Sequence, residues 1–386
     1  MLIRELRLRD YRNYTELHLR PGRGLNILIG VNAQGKSNLL EAIYTLATTR
    51  SLRAGRESEV IRHGADAAAI QVVLERADIP ETHLDIGILQ GDRKTVRVNG
   101  SRRGKVIELL GTLNAVFFGS ADLGIVSGEP SFRRRHLNIE ISQISPKYCF
   151  DLAAYKKVIE QRNRLLRDMR DRPSLEGGLE AWDEQLVRYA APIIEKRRMF
   201  TDRLAPLADE MHHRITDGRE SLELRYVPNV PLPLETAAPE IEGIVRSELK
   251  RVAGEERRRG TSLVGPQRDD LQFLINGVDA RMYGSQGQQR TVILSVKLAQ
   301  FALMQEYTGE TPIMLLDDVM SDLDDMRRKH LVEWTRQGAQ TFVTCTNLRT
   351  FPPEVLAEAQ VLRVRAGTIA PVDAPGSATL DTSCNG

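Results

Sequence analysis

The sequence has few cysteines and no long uncharged apolar segment. Its 386 residues include three cysteines, which lie far apart without a CxxC pair or a histidine at ligand spacing. This spacing argues against a zinc site or a disulfide framework and is typical of reduced thiols in a cytosolic protein. No uncharged run approaches the roughly 20 residues that a membrane span needs. The charged N-terminal segment also lacks the apolar core of a signal peptide, so we expect a cytoplasmic protein without a membrane partner.

Aromatic residues and net charge are also low. Aromatics make up 5% of the chain, and a net charge of +2 results from 54 basic and 52 acidic side chains. So small a net charge identifies no class of partner, and local clusters of charge must be considered instead. A chain of this length suits two domains or one large elaborated domain.

Apolar periodicity predicts a β-rich N-terminal segment with one strand–loop–helix unit. Alternation over residues 2–19 is typical of a hairpin of half-buried strands, and similar alternation returns over 65–118. The apolar run 25–29 predicts a buried central strand, and helical spacing follows over 37–48. We therefore expect a glycine loop to connect a buried strand directly to a helix.

The middle of the chain has helical periodicity. Apolar residues recur every three to four positions over 152–169 and over 179–211, with a Pro/Gly-rich break between them. This pattern predicts either an antiparallel hairpin of two helices or a helical bundle against the core. Further on, we predict strands and one long helix at 271–275, 288–306 (the helix), 313–316 and 340–344.

The sharpest chemical signal is a phosphate-binding loop. Residues 30–37 match G-x-x-x-x-G-K-[ST] in full, between the predicted strand and helix. The backbone N–H groups of such a loop and the positive end of its helix face the phosphates of a nucleotide. Lys36 places a cation at the β- and γ-phosphates, and Ser37 offers a hydroxyl to Mg²⁺. The predicted nucleotide-binding residues are Gly30, Val31, Asn32, Ala33, Gln34, Gly35, Lys36 and Ser37.

Two carboxylates follow the predicted strand 313–316. We assign Asp317 to Mg²⁺ and Asp318 to the attacking water, as a general base or an orienting group. Taken alone, this pair is equally typical of a surface turn after a strand. About 280 residues separate the pair from the loop, which disfavours a compact nucleotide kinase or a small GTPase. No Asn-Lys-x-Asp follows the last strand, so guanine recognition is disfavoured as well.

A second anion site is predicted at the start of the helix near residue 288. A small hydroxyl residue and a glycine stand there, in Ser285-Gln-Gly287-Gln288. Because the chain already has one phosphate loop, this second site suggests contact with a nucleotide held by another molecule.

Together these motifs resemble the heads of ABC-type ATPases, and within that class the RecF family of recombination mediators. The matches span most of the chain, and the ordered set is far more specific than any single member. They comprise residues 8–14 (LRDYRNY), the phosphate loop, 128–134 (GEPSFRR), 265–270 (GPQRDD), 285–290 (SQGQQR) and 317–324 (DDVMSDLD).

The resemblance implies an α/β fold with an ABC-type P-loop ATPase head and a helical arm that replaces the long coiled coils of SMC proteins. It implies ATP as the nucleotide and an ATP-dependent homodimer, in which Ser285, Gly287 and Gln288 of one copy meet the γ-phosphate held by the other. Ser321 and Asp324 would form the D-loop, and Gln143 is a candidate for the Q-loop glutamine. Family members bind DNA, act with RecO and RecR to load RecA at gaps, and contribute to the SOS response.

Some positions depart from the family pattern. Gln267 replaces a common histidine, Asn138 replaces a common aspartate, and the late strand lacks the switch histidine of transporter ATPases. Asp318 is also one methylene shorter than the glutamate of fast ABC enzymes. We therefore expect weak ATP hydrolysis, with ATP acting mainly as a switch for dimerisation.

The expected domain division follows the order of the motifs. We assign residues 1–130 to the first part of the ATPase lobe, 131–260 to the helical arm and 261–365 to the second part of the lobe. The last segment, 366–386, is rich in Ala, Pro, Gly, Ser and Thr and is predicted to be a disordered tail.

Basic clusters in the predicted arm are candidates for contact with DNA. Binding to DNA phosphates requires these clusters to lie on one face of the protein. Each cluster alone is equally well explained as a solvated helix surface. No base-reading module or aromatic platform is present, so binding would be independent of sequence. The candidates are Arg133, Arg134, Arg135, Lys156 and Lys157.

Alternatives remain open. A transporter ATPase subunit shares the nucleotide motifs, although the missing switch histidine and the helical arm argue against it. Another SMC-like head protein would share both the nucleotide motifs and a helical arm. A P-loop kinase is disfavoured by the signature string and by the long separation of the motifs.

Overall fold

The computed structural model describes residues 1–79, 81–91, 93–171, 177–233, 236–323, 325–335 and 338–372. The chain divides into two compact units. One contains Met1–Ala121 together with the chain from Met304 onward, and the other contains Asp122–Leu303.

The first unit contains a six-stranded antiparallel sheet in the order β2-β1-β4-β5-β6-β7. In β1, side chains on one face are fully buried and those on the other face are charged, which accounts for the alternation in the sequence. Leu6 of β1 pairs with Leu19 of β2, so the predicted hairpin is confirmed. The strands are β1 Leu2–Tyr11, β2 Tyr14–Leu19, β4 Ala67–Glu75, β5 Thr82–Leu89, β6 Arg93–Val98 and β7 Ser101–Arg102.

A second six-stranded sheet of the same unit has a parallel centre, in the order β15-β14-β3-β13-β12-β8. Every residue of β8, β12 and β13 is buried, as expected for strands covered on both faces. The strands are β3 Leu25–Ile29, β8 Ala115–Gly119, β12 Ile313–Asp317, β13 Thr341–Cys345, β14 Gln360–Arg365 and β15 Thr368–Pro371. The helices of this unit are α1 Lys36–Thr48, α9 Val319–Asp322, α10 Asp325–Thr335 and α11 Pro353–Glu358.

The second unit is mainly helical and carries a small antiparallel sheet in the order β11-β10-β9. Its strands are β9 Leu222–Val227, β10 Asp270–Ile275 and β11 Val278–Asp279. Its helices are α2 Leu123–Ser127, α3 Pro130–Ile144, α4 Pro146–Asp171, α5 Leu179–Ile215, α6 Ala238–Arg259 and α7 Ala280–Tyr283. Helix α8, Gln286–Thr308, begins in this unit and ends in the other.

Helices α4 and α5 form the predicted antiparallel hairpin. Arg162 donates to Asp183 at 2.7 Å near one end, and Arg197 donates to the Tyr148 hydroxyl at 3.0 Å near the other. The later residue of α4, Arg162, contacts the earlier residue of α5, Asp183, and the earlier residue of α4, Tyr148, contacts the later residue of α5, Arg197. The two helices therefore run in opposite directions. Helix α6 packs along both, so the hairpin belongs to a small bundle.

The unit boundaries differ from the predicted domains. Residues 261–303, assigned from the sequence to the ATPase lobe, fall in the helical unit because β10 pairs with β9 along its whole length. The predicted tail begins with an ordered hairpin instead, in which β15 pairs with β14. Residues 373–386 of that tail lie outside the described residues.

Within the described ranges, the helices are either too short or too polar to span a bilayer.

Candidate nucleotide-binding site

The glycine loop connects the end of β3 to α1, as predicted. Gly35 adopts a φ of 114°, and a Cβ there would lie 2.7 Å from Asn13 Nδ2. A Cβ at Gly30 would lie 2.4 Å from the Val364 carbonyl oxygen. Both positions therefore require glycine, one for its backbone conformation and both for space.

Neighbouring segments brace this loop through its backbone. Asn13 Nδ2 donates to the Gln34 carbonyl at 2.8 Å, and the buried Tyr14 hydroxyl donates to the Gly35 carbonyl at 3.0 Å. The Gly367 N–H also donates to the Gln34 carbonyl, at 3.1 Å. With its carbonyls engaged in this way, the loop can turn N–H groups toward an anion.

Lys36 is folded back onto the loop. Its ammonium donates to the Gly30 carbonyl at 2.5 Å and to the Val31 carbonyl at 2.9 Å. Burial lowers the pKa of Lys36, and the charges of Asp318, Cys345 and Asp317 oppose this change. The cation is thus held at the loop by weak carbonyl acceptors, from which phosphate oxygens can take it.

Asp317 lies at the end of β12, where it meets the start of α1. Ser37 Oγ donates to Asp317 Oδ1 at 2.6 Å, and Thr344 Oγ1 donates to the same oxygen at 2.9 Å. The carboxylate is 6% exposed. The structure therefore brings together the two residues that the sequence assigned to Mg²⁺.

Arg53 is a residue of this site that the sequence analysis missed. Its Nη2 lies 2.6 Å from Asp317 Oδ2, so the guanidinium compensates the charge of the carboxylate. Arg50, Arg53 and Arg56 stand in one irregular loop after α1, and no spacing rule distinguishes the middle one. Only the fold shows which of them reaches the site.

Asp318 follows directly and is exposed. It adopts a left-handed conformation with φ of 56°, which is uncommon for a non-glycine residue and frequent at functional sites. Its N–H donates to Thr344 Oγ1 at 2.9 Å. Ser321 Oγ donates to the Asp318 carbonyl at 2.8 Å, so the predicted D-loop serine lies beside the predicted catalytic carboxylate. Asp324, the other predicted D-loop residue, lies outside the described residues.

The signature residues form a separate site in the second unit. Ser285 N–H donates to Gln288 Oε1 at 2.9 Å, and Gln288 N–H donates to Ser285 Oγ at 3.2 Å. This reciprocal capping defines the start of α8, a 23-residue helix, and Gly287 lies in its first turn. Ser285 is exposed, so the positive end of the helix is open to an anion.

Comparisons with known proteins agree with this arrangement. A sequence model of the RecF/RecN/SMC N-terminal domain family matches residues 2–366. A Halalkalibacterium halodurans protein named DNA replication and repair protein RecF is 40% identical over 370 residues, covering 96% of this chain and 99% of the relative. The Gloeobacter violaceus protein of the same name is 42% identical over 376 residues, covering 97% and 100%. The chain belongs to the RecF family.

Solved structures support the fold. A structure described as the recombination mediator protein RecF with ATP in the RecFOR pathway has a TM-score of 0.89 and 33% identity, covering 96% of this chain and 97% of that one. A Pyrococcus furiosus SMC head has a TM-score of 0.54 at 18% identity. The predicted fold class, an ABC-type ATPase head, is thereby confirmed. Membership of the RecF family also decides against a transporter ATPase.

Arg133 is a correction to the predicted DNA-binding set of this RecF-family chain. It is 2% exposed, and its guanidinium makes a two-pronged ion pair with Asp270 at 2.6 and 3.0 Å. Its Nη1 also donates to the Gly128 carbonyl at 2.9 Å. Arg133 therefore fixes α3 to β10 and is not available to DNA phosphates.

The other DNA candidates divide by exposure. Arg134 is half-buried and donates to the Asp269 carbonyl at 2.9 Å, and burial lowers its pKa. Arg135 on α3 and Lys156 and Lys157 on α4 are exposed. These last three remain accessible to a large anionic partner.

Gln143, the candidate Q-loop glutamine, lies in helix α3 of the second unit. It is fully buried in α3, where its Nε2 lies 3.4 Å from Glu140 Oε2. The Q-loop interpretation of Gln143 stays a prediction. A glutamine in a charged stretch of sequence can lie on the buried face of a helix or in a binding site, and the sequence alone does not distinguish these two positions.

The two departures from the family pattern lie in one buried region of the second unit. Asn138 Oδ1 accepts from Arg197 Nη2 at 2.9 Å and from the Tyr148 hydroxyl at 2.7 Å. Gln267 accepts from the Tyr155 hydroxyl and donates to the Val264 carbonyl at 3.0 Å. The Asn138 oxygen and both ends of the Gln267 amide thus have partners within the second unit.

Proposed function

We propose that this RecF-family chain binds ATP with Mg²⁺ at residues 30–37 and uses it to dimerise on DNA during replication and repair. The contact of Ser37 with Asp317 carries the proposal, because it joins a phosphate loop to a carboxylate at the end of β12, a strand of the same sheet as β3. Relatives named DNA replication and repair protein RecF and a RecF structure with ATP support it.

The donor set fits magnesium. Ser37 and Asp317 offer a hydroxyl and a carboxylate oxygen 2.6 Å apart, and Mg²⁺ prefers oxygen donors. The described residues contain no group of three His, Cys, Asp or Glu side chains that could form a complete protein cage. Such a set suits an ion that completes its ligands with phosphates and water. When bound there, Mg²⁺ would supply positive charge to the phosphates.

Each residue of the site would then have its own role in ATP binding and hydrolysis. Lys36 would leave the loop carbonyls and bind phosphate oxygens, which are stronger acceptors. Asp317 would exchange its contact with Arg53 for one with the metal. Asp318, held by Thr344 and Ser321, would orient the attacking water. We expect slow hydrolysis, because the short Asp318 side chain makes a less extended base than glutamate.

A second copy would complete the site. Ser285, Gly287 and Gln288 lie at the positive start of α8, and the exposed Ser285 hydroxyl, which accepts from the Gln288 N–H, could donate its own proton to a γ-phosphate. Ser321 and Asp324 would lie along the same dimer contact as the D-loop. In this arrangement ATP holds two copies together, and hydrolysis releases them.

The proposed DNA contact is electrostatic. Arg135, Lys156 and Lys157 are exposed cations of the arm, and phosphate contacts of this kind weaken steeply with salt. The solved relative is described as the RecF protein of the RecFOR pathway. We therefore propose RecO and RecR as the protein partners of this chain. Loading of RecA at single-strand gaps and a role in the SOS response are the corresponding proposed outcomes.

Sizing by sedimentation velocity tests this function. We expect the purified chain to be monomeric with ADP or no nucleotide and dimeric with ATP, and the dimer to retain double-stranded DNA. Lys36→Arg and Ser285→Arg should abolish the dimer, while Ser101→Arg, at an exposed position of the edge strand β7, should not. A wild-type chain that stays monomeric at saturating ATP with DNA present would contradict the proposal.

A further inference from the structure

A chain of hydrogen bonds leads from the signature glutamine to the last turn of α5. Gln288 Nε2 donates to Glu220 Oε1 at 2.9 Å, and His212 Nε2 donates to Glu220 Oε2 at 3.1 Å. The other ring nitrogen of His212 lies 3.2 Å from Ser295 Oγ, on α8 itself. We call His212, Glu220 and Gln288 the signature network. All three residues lie in the second unit.

The network fixes which way the Gln288 amide points. Its Oε1 must face the Ser285 N–H to complete the reciprocal cap, which leaves Nε2 on the opposite side. An ionised carboxylate only accepts hydrogen bonds, so Glu220 can bind the Nε2 side and not the Oε1 side. A flipped amide would lose the bond to Glu220 and place two donors against each other at Ser285.

The network is anchored in the protein interior, whereas the signature serine that Gln288 caps is open to solvent. His212 is completely buried, and the Glu220 side chain is 22% exposed. Ser285, at the other end, is exposed. Helix α5 has 37 residues, and its path from Leu179 to His212 measures about 50 Å. The signature is thus attached to the longest helix of the arm.

We propose that Glu220, oriented by His212, is a positioning residue for the signature. It holds the Gln288 amide so that the start of α8 is already formed when it meets the γ-phosphate bound by a second copy. This inference rests on the proposed function, since it requires that the signature acts on ATP between two copies. Through α5, the same contact connects the helical arm to ATP-dependent dimerisation.

A double-mutant cycle on the full-length chain tests the proposal. The variants are Glu220→Met, Gln288→Leu and their combination, with Glu220→Gln as the variant that keeps an acceptor for Gln288. Glu223→Met is the matched control, because Glu223 is an exposed acid of β9 that pairs with Arg225. The readouts are the dissociation constant of the ATP dimer, binding of a fluorescent ATP analogue to dilute monomer, and Tm.

Glu220→Met is expected to weaken the ATP dimer about fivefold, the loss of one charge-assisted hydrogen bond. Binding of the analogue to monomer should stay within twofold, because the phosphate loop is untouched. Glu220→Gln and Glu223→Met should dimerise like the wild type. The double variant should be no weaker than Gln288→Leu, because both changes remove the same interaction.

Two results would overturn the proposal. One is a double variant whose dimer dissociation constant rises by the product of the two single-variant factors. The other is a Glu220→Met dimer as tight as the wild type. If Glu220→Met does not fold, His212→Asn replaces it in the cycle, because it removes the support of Glu220 and leaves the carboxylate. A wild type that fails to dimerise with ATP refutes the proposed function instead. In that event, hydrogen exchange at the backbone N–H of Gln288 still tests whether Glu220 positions the signature. We expect this N–H to exchange faster in Glu220→Met than in the wild type.

Discussion

At the scale of single residues, Asp317 organises the nucleotide site. It accepts hydroxyls from Ser37 and Thr344 and the guanidinium of Arg53, so each of its oxygens has a partner. A carboxylate that is nearly buried needs such partners, because an uncompensated charge away from water is costly. Ser37 shares with Asp317 the proposed role of holding the metal ion, and the contact of Asp317 with Arg53 is the one that the metal would replace.

The sequence predicted the local setting of residues such as Gly35 and Lys36, in a loop between a buried strand and a helix. It could not predict roles set by distant partners. Arg133 stands in a run of three arginines, and its pairing with Asp270 depends on a contact across 137 positions. Arg53 was missed for the same reason, since Asp317 lies 264 positions away.

Glu140 provides a prediction at this scale. Burial raises the pKa of Glu140 to about 7, the charge of Lys297 lowers it, and that of Asp122 raises it again. The folded protein therefore keeps a proton that the unfolded chain releases near pH 4.5. The stabilising contribution of Glu140 is present in full below that pH and is lost as pH rises through about 7.

Glu140→Gln, a neutral residue of the same shape, should therefore gain stability relative to the wild type as pH rises. Between pH 5 and pH 7.5 we expect this relative gain to be on the order of 3 kcal/mol in the free energy of unfolding. Urea denaturation at both pH values measures it, and Glu160→Gln, at an exposed acid of α4, is the control. A stability difference that does not change with pH would contradict the assigned protonation.

At the scale of elements, a buried ion pair joins the parts of the second unit. Arg197 of α5 contacts Asp269, just before β10, at 2.8 Å and the Pro266 carbonyl at 2.6 Å. It also reaches Asn138 of α3 and Tyr148 of α4. The segment 265–270, whose role could not be predicted from its sequence, is therefore the place where the hairpin meets the small sheet.

Removing one partner of such a pair should be costly. Arg197→Met leaves Asp269 buried without its cation, and we expect a loss of about 3 kcal/mol in the free energy of unfolding. Lys196→Met, at the exposed neighbouring position of α5, should change stability by less than about 0.5 kcal/mol. Urea denaturation of both variants decides the matter. Equal stabilities would show that the ion pair does not hold the arm.

Elements with strong periodicity were predicted well, and those with weak periodicity were not. Strand β3, the glycine loop and α1 follow the sequence pattern closely. Helix α6 was missed, although Ile241, Val245 and Leu249 form a buried stripe at a spacing of four. Charged residues surround that stripe and two glycines interrupt the helix, so its single-sequence signal is faint.

At the scale of the whole molecule, two candidate phosphate-binding features belong to one chain. The glycine loop lies in the first unit and the signature in the second. Each is internally complete: the loop is braced by Asn13 and Tyr14, and the signature is closed by its own cap. In the proposed dimer, the loop of one copy and the signature of another share one ATP.

Mixing two inactive variants tests that claim most directly. Lys36→Arg disables the loop and Ser285→Arg disables the signature, so each variant alone should stay monomeric with ATP. In a mixed dimer, the intact loop of one copy would face the intact signature of the other, which restores one of the two sites. Sedimentation velocity of the mixture with ATP should therefore show a dimer that neither variant forms alone. If the mixture remains monomeric while the wild type dimerises, the two features do not act between copies and the account is contradicted.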